Sequence, residues 1–544
     1  MKKVLFFAVA CLALVSCNNA SKMAKLSDLV KIECNPEVLE VVAGNIDADV
    51  TVTFPEAYFH KKAKLEVVPV IKFDGGEVAG EPFVYQGEKV TENFKLVGKD
   101  GASITEHVNF KYEPGMEKSE LVGRATVKYK KKNWKFPEDI KIADGANTTY
   151  MLVCQKGTFN PVADQYQEVI PEEVEGQILY LIGSSNVRGS ELNSEGLKEY
   201  KNGVKDVMND ERRTIKGTDI IAYASPDGPE ALNNKLSDAR TNSAEKAFAK
   251  VAKKLETGAV STQSIGEDWE GFQELVSASN IEDKDLILRV LSMYSDPNVR
   301  EREIKNMSSV YGTLAKDVLP ELRRARFITN VEYQNYTPEE LKALVEDNID
   351  VLDEEALLRT ATLVEGDNAK LDIYKQAIKK FDSDRAKYNA ACVLAAADKD
   401  KEAADMLAKI NDDFCCAKNL RGVLAMRAGK YEEAAKYFAD VKCSEGKENQ
   451  AVLDILNGNY KAAAEKLAGT GNPNEALAYI LNGDLTKAAA ALKDCDCEGS
   501  AYQRAIIAAR KGDAATAAKE LAKVKNCKKL VEKAANDVEF AKVK

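Results

Sequence analysis

The chain has 544 residues, with 87 acidic against 77 basic side chains and a formal net charge of −10. An acidic chain repels phosphates rather than releasing their counterions, which argues against a nucleic-acid binder. Only two histidines occur, His60 and His107, so His-based metal sites and general-base chemistry have little to draw on. Hydrophobic residues at 45% and charged residues at 30% fit an ordinary globular chain of several domains.

The first seventeen residues set the expected compartment. Lys2 and Lys3 form a positive start, and Val4 to Val15 is apolar throughout. That run is too short for the roughly 20 residues of a membrane span and fits a signal peptide. Leu14-Val15-Ser16-Cys17 resembles the lipobox of bacterial lipoproteins. The resemblance implies cleavage before Cys17 and acylation of its thiol, hence anchorage in a bilayer through the N-terminus. Residues 18–33 are then expected as a tether. The stretch after Cys17, Asn18 to Lys25, carries no acidic residue. Surface-exported lipoproteins of Bacteroidetes-type bacteria usually do, so the periplasmic face of the outer membrane is expected.

Residues 34–170 read as a β-sandwich-like module. Val50-Thr51-Val52-Thr53-Phe54 and Ala125-Thr126-Val127-Lys128-Tyr129 alternate, and turns such as Asp74-Gly75-Gly76 and Pro114-Gly115 separate the runs. Cys34 and Cys154 bracket the module and could staple it. Lys128, Lys130, Lys131, Lys132 and Lys135 form a basic stripe around Tyr129 and Trp134. Two readings stand: the solvated face of an edge strand, or a patch for anionic glycan or lipid.

Residues 174–335 alternate strand and helix, the pattern of an α+β domain. Strands are expected at 177–182, 219–223 and 322–329, and helices at 194–209 and 230–254. Gly266 to Phe272 reads as a turn into a helix, and 283–318 as an inserted helical pair. Residues 340–544 repeat a helix, a Gly or Asp turn and an Ala-rich helix. The turns fall at 366, 398, 429, 458, 483 and 512, about thirty residues apart. This resembles tetratricopeptide repeats, whose period is about 34; it implies an α-helical solenoid with protein partners on its surface. Several cysteines, Cys415 or Cys416, Cys443, Cys497 and Cys527, recur near the start of a repeat's first helix. They pack between hairpins or, being at helix N-termini, act as reactive thiols.

The most informative segment runs from Asp219 to Ala244. Gly228 ends a turn, and Asn233, Leu236, Ser237 and Arg240 follow on a helix. Their spacing resembles the OmpA-like, peptidoglycan-associated family, with its Thr-Asp-x-x-Gly turn and Asn-x-x-Leu-Ser-x-x-Arg helix. The resemblance implies an OmpA-like domain over 174–335, βαβαβ with the helical insertion at 283–318. It also implies that a turn Asp and the helix Arg clamp the diaminopimelate of a peptidoglycan peptide stem. The expected binding residues are Ser225, Asp227, Gly228, Asn233 and Arg240. Arg240 would grip a carboxylate with two parallel bonds. One departure weakens the match: Ser225 occupies the family's Asp position and cannot neutralise an ammonium, and Asp227 lies two residues on. Asn233 pinning the loop, Leu236 in the core and Arg240 pairing locally form the structural alternative.

Lipobox, β module, OmpA-like domain and repeat tail together resemble a Bacteroidetes-type outer-membrane lipoprotein. The sequence lacks P-loop, GxGxxG, HExxH and GxSxG patterns. A non-enzymatic protein with no cofactor and no metal is expected. It either links the membrane to peptidoglycan while scaffolding partners, or serves as a periplasmic adaptor in an outer-membrane assembly or secretion complex whose OmpA-like domain no longer binds wall.

Overall fold

The alternation at residues 45–54 produces a ten-residue strand, Asn45–Phe54, with Ile46, Ala48, Val50, Val52 and Phe54 turned inward and buried. In the computed structural model, which describes residues 20–281, 283–411, 414–541 and 543, this strand pairs antiparallel with Ala102–Lys111. Thr51–Thr105 and Thr53–Ser103 hydroxyl pairs, both 2.9 Å, join the outer faces. Eleven strands between Lys31–Asn35 and Ile140–Asn147 form one continuous sheet. Its two halves face each other around an apolar cavity of about 40 Å³, lined by Val50, Val52 and Phe54 on one side and Leu65, Tyr85 and Ala125 on the other. The N-terminal region is thus sheet-rich, as expected, with side chains from several of its strands making the core.

Three sequence expectations change here. Residues 20–33 are not a tether. Ala20–Lys25 is a helix that buries Ala20, Met23 and Ala24; the Tyr58 hydroxyl donates to the Met23 carbonyl at 2.9 Å, and Lys31–Asn35 pairs with Asn45–Phe54. Burial of Met23 supplies the driving force that a polar linker lacks. The module's last strand ends at Asn147 rather than near 170. Cys34 and Cys154 are free thiols, so no staple joins them. For Lys132 and Lys135 the edge-strand reading fits, since among the described residues Lys132–Lys135 pairs with Ser119–Tyr129 alone; Lys128 lies on that inner strand and pairs with Glu66 at 2.6 Å.

The chain divides into two units, one from Ala163–Asp382 and the other from the chain up to Val162 together with Ser383–Lys544. The first is α+β. Its four-stranded sheet runs in the order Val169–Leu179, Arg324–Gln334, Arg213–Ala224, Ala259–Glu267, with only the last pair parallel. The parallel pair is joined by the long helix Glu230–Val251, as a parallel connection requires. Ile178, Tyr200, Ile220, Phe248 and Phe327 lead its core. The insertion is three helices, Lys284–Met293, Pro297–Asn306 and Ser308–Asp317, rather than a pair. It has a core of its own around Phe272, Ile287, Leu291 and Leu322. The unit continues through helices Pro338–Asp347, Glu354–Leu363 and Asp367–Phe381, so the repeats expected from residue 340 onward do not form one body.

The second unit carries a C-terminal stack of helical hairpins. They are Asp384–Ala396 with Asp400–Leu407, Cys415–Arg427 with Tyr431–Ala439, Ser444–Leu456 with Tyr460–Leu467, Glu475–Leu481 with Leu485–Ala491, and Glu498–Arg510 with Ala514–Leu521. Gly429, Gly458, Gly483 and Gly512 reverse the chain at φ between +74° and +83°, where a Cβ is unfavourable. Asp398, at φ +58°, fills the same role in the first hairpin, as Asp tolerates this conformation better than most. The small residues expected to let helices approach, Ala403, Ala434, Ala463, Ala488 and Ala517, are all fully buried.

Candidate functional site

Two regions bring polar side chains together. The first is the turn and helix at 225–240, in the α+β unit. Ser225 is buried; its hydroxyl donates to Asp227 Oδ1 at 2.7 Å. Asn233 pins the loop by donating to the carbonyls of Ser225 and Gly228 and to Glu267 Oε1, at 3.2, 2.9 and 2.9 Å. Trp269 Nε1 holds the other oxygen of Glu267, whose carboxyl burial pushes above its ordinary range. Ser237 is buried against the Ser264 hydroxyl, and Leu236 is half-buried.

Arg240 does not present its guanidinium to a ligand. The residue is 0% exposed. Its Nε donates to the Ser184 carbonyl at 3.0 Å, Nη1 to Tyr223 at 2.8 Å and Nη2 to Leu181 at 3.3 Å, and the ring of Tyr180 covers it at 5.0 Å. Burial pulls its pKa down to about 10, still charged at neutral pH. The expected carboxylate grip is not set up here, because the carbonyls of Leu181, Ser184 and Tyr223 each take an N–H from a different guanidinium nitrogen. The partner is also not the local acid of the structural alternative: three main-chain carbonyls replace it.

A residue outside the expected set completes the network. Arg323 donates through Nε to Ser225 Oγ at 3.2 Å and through Nη2 to Asp227 Oδ2 at 3.1 Å, with both charged side chains largely buried. Its neighbour Arg324 pairs with the buried Asp268 at 2.8 Å. The only sequence signal was the run Arg323, Arg324, Arg326 at the start of a strand, where charge is unusual unless it is paired.

The second region lies in the other unit and was not anticipated. Residues 153–162 follow the short turn Thr149–Leu152 and form neither helix nor strand. They run along the first helices of the hairpins, where four asparagines recur at the repeat period. Asn474 Oδ1 accepts the Cys154 N–H at 2.7 Å while its Nδ2 donates to the Cys154 carbonyl at 2.8 Å. Asn449 grips Thr158 in the same two-bond way, at 2.7 and 2.8 Å. Asn389 does so for Val162, at 2.8 and 2.9 Å. Asn419 donates to the Thr158 carbonyl at 3.0 Å and accepts from Asn449 at 2.9 Å. All four amides are at most 3% exposed. Between the grips, Arg427 donates twice to the Lys156 carbonyl, at 2.8 and 2.6 Å, and faces the Phe159 ring. Tyr388 donates to the Asn160 carbonyl at 3.0 Å.

The cysteines sit where expected in the hairpins: Cys415 opens a helix, and Cys443, Cys497 and Cys527 stand at N-caps. Cys392 is inert by this measure, because burial raises its thiol to about 12. Cys497 differs. Its Sγ bonds the hydroxyl and amide of Ser500, at 3.2 and 3.4 Å, and these donors draw its pKa down to about 7. Cys495 Sγ lies 3.2 Å away. Among the described residues no cluster of His, Cys, Asp and Glu is placed to hold a metal ion, and no helix is long and apolar enough to cross a membrane. Cys17 lies outside the described residues.

No family model matches this chain, and no curated protein matches it. Among solved structures, a tetratricopeptide repeat protein from Parabacteroides merdae is similar at 17% identity and a TM-score of 0.29, over 37% of this chain and 90% of that one. The APC/C hetero-tetramer Cut9-Hcn1 is similar at 13% identity and a TM-score of 0.31, over 66% of this chain and 78% of that one. The stack of hairpins described above stands on its own turns and buried alanines rather than on these likenesses.

Proposed function

We propose that this protein is a non-enzymatic, lipid-anchored adaptor on the periplasmic face of a bacterial outer membrane. It holds protein partners on its hairpin stack and carries an OmpA-like domain that no longer grips peptidoglycan. The OmpA-like reading is supported by the spacing of Gly228, Asn233, Leu236, Ser237 and Arg240 and by a βαβαβ order in which a helix crosses between parallel strands. The anchor is supported by Lys2, Lys3 and the lipobox-like run to Cys17.

The observation that carries the adaptor reading is that the 225–240 site is already filled. In the OmpA-like family the turn acid takes the ammonium of diaminopimelate and the helix arginine its carboxylate. Here the cation on Asp227 is the chain's own Arg323, and Arg240 is spent on three carbonyls. A stem peptide would have to displace both, stranding the buried Tyr223 carbonyl at about 1–3 kcal/mol. The role of linking membrane to peptidoglycan is therefore the weaker of the two readings.

Affinity capture from detergent-solubilised envelope, before and after wall digestion, tests the proposal. An adaptor keeps the same protein partners in both. Partners that vanish on digestion would mean that the wall, not the hairpin stack, holds them.

A further inference from the structure

The polar groups of the strap at 153–162 and of the turn at 225–240 are engaged within the chain. Cys495 and Cys497, by contrast, stand exposed at the start of the fifth hairpin. Cys497 is the N-cap of Glu498–Arg510, and its Sγ takes the Ser500 N–H much as Ser383 takes the Ala386 N–H in the first hairpin. Sulfur is a weak acceptor, and a serine would cap better. Packing does not favour the thiol either, because it is exposed. What the sulfur adds is a nucleophile. The hydroxyl of the buried Ser500 lies 3.2 Å from it, and Cys495 Sγ donates to it at 3.2 Å. With its pKa drawn down to about 7, the thiol is substantially ionised at neutral pH. A disulfide bond is about 2.05 Å long, so the two sulfurs need to close by only about 1 Å. Arg504 fixes the backbone here by donating to the Cys495 carbonyl at 2.7 Å, its own charge being paired with Glu520 at 2.9 Å. Gly499 keeps the approach clear: a Cβ there would lie 3.9 Å from the Cys497 sulfur. Asp494, Asp496 and Glu498 flank the pair, and Glu498 is held by the N–H groups of Asn526 and Cys527, at 3.0 and 2.7 Å.

We propose that Cys497 and Cys495 form a thiol–disulfide exchange site, Cys497 as nucleophile and Cys495 as resolving thiol, whose substrates are disulfides carried on basic segments of other polypeptides. The Cys497 thiolate attacks one sulfur of the substrate bridge. A bond from Cys497 to that sulfur forms and the substrate's S–S bond breaks. The leaving thiolate takes the proton of the Cys495 S–H, which donates to Cys497 in the resting chain. The Cys495 thiolate then attacks Cys497 Sγ and releases the second substrate sulfur, which takes a proton from water. Two electrons have passed from the pair to the substrate, and the pair ends as a disulfide. An external dithiol returns it to the starting state by the same chemistry. The carboxylates set the preference: Asp494, Asp496 and Glu498 attract a bridge flanked by Lys or Arg and repel an anionic one. This activity is separate from the adaptor reading, which rests on the filled turn at 225–240.

The test uses the full chain, fully reduced, and two disulfide-linked synthetic peptide dimers, one flanking its bridge with lysines and the other with glutamates. Released peptide thiol and peptide mapping by mass spectrometry follow the reaction at neutral pH. The unmodified chain should release both peptides of a lysine dimer and end with Cys495 bonded to Cys497. Cys495→Ser should release one peptide and stall with the other bonded to Cys497. Cys497→Ser, in which serine keeps the N-cap, should lose the fast phase, and Cys527→Ser should keep it. The lysine dimer should react at least about tenfold faster than the glutamate dimer at low salt, and the gap should close as ionic strength rises. An unmodified chain that forms no Cys495–Cys497 bond overturns the proposal, and so does a Cys497→Ser chain that reacts as fast as the unmodified one. Equal rates for the two dimers at low salt overturn the assigned substrate. Failure here with partner capture intact would leave the adaptor function standing.

Discussion

Replacing Asn449 by Ala separates the central asparagine from its neighbour Asn419, although the two are chemically alike and both buried. Asn449→Ala removes the acceptor of the part-buried Thr158 N–H and the donor to the buried Asn419 Oδ1, leaving both without those partners. The Thr158 carbonyl keeps its bond from Asn419. At about 1–3 kcal/mol for each stranded group, the loss is about 2–6 kcal/mol. Asn419→Ala strands neither the Thr158 carbonyl nor Asn449, because each retains a bond to the other. Its cost is about 1 kcal/mol, that of an ordinary net hydrogen bond. Asn449→Asp keeps an acceptor for the N–H but turns a carboxyl oxygen toward the Thr158 carbonyl and Asn419 Oδ1. That carboxyl is favoured in its protonated form, with a folded-state pKa above the unfolded one of about 4. The penalty should therefore grow as pH rises through the folded-state value and shrink in acid. The assay is hydrogen exchange at residues 152–163 together with urea unfolding of the hairpin stack, at pH 4.5 and 7.5. Since 1.4 kcal/mol is tenfold, Asn449→Ala should reduce protection of the strap by at least about thirtyfold and Asn419→Ala by less than about tenfold. Equal effects of the two substitutions, or no effect of either, would refute the idea that these amides hold the strap by its main chain.

Other substitutions read other parts of the molecule. Arg240→Met should destabilise the α+β unit by about 2–4 kcal/mol in denaturant unfolding, because the buried Tyr223 carbonyl and the part-buried carbonyls of Ser184 and Leu181 lose a charged donor. Gly422→Ala should cost about 1–3 kcal/mol in the thermal unfolding of the hairpin stack, since its Cβ would lie 2.5 Å from the Phe438 ring. Iodoacetamide should alkylate Cys497 with a rate that climbs through pH about 7, and Ser500→Ala should move that midpoint upward by removing the hydroxyl donor. A pH profile unchanged by Ser500→Ala would contradict the assigned cause.

Much of the architecture was readable from periodicity. Alternation located Asn45–Phe54 because one face packs and the other is wet, and the Gly turns with their alanines located the hairpins because close helix approach demands small residues. The 225–240 segment was readable as a motif but not as a site. Spacing places Arg240 on a helix face; it does not reveal that carbonyls from 181–184 close over that face, or that Arg323, just before a strand and 96 residues away, reaches Asp227. The strap left no pattern of its own, because its hydrogen bonds go to side chains hundreds of residues distant and impose no period on 153–162. The matching signal lay in its partners: Asn389, Asn419, Asn449 and Asn474 each sit at a corresponding place before a turn. An asparagine in a helix interior is disfavoured unless its amide is engaged. Residues 20–33 misled for the opposite reason, since a short polar run conceals the one methionine that anchors it, Met23.

The adaptor account is tested most directly by sedimentation of the full chain with purified diaminopimelate-type peptidoglycan. With Arg240 committed to carbonyls and Asp227 to Arg323, the chain should stay in the supernatant, as it does without peptidoglycan. A chain that pellets with the wall, and is released by free stem peptide, would contradict the account and restore the 225–240 helix as a wall-binding site.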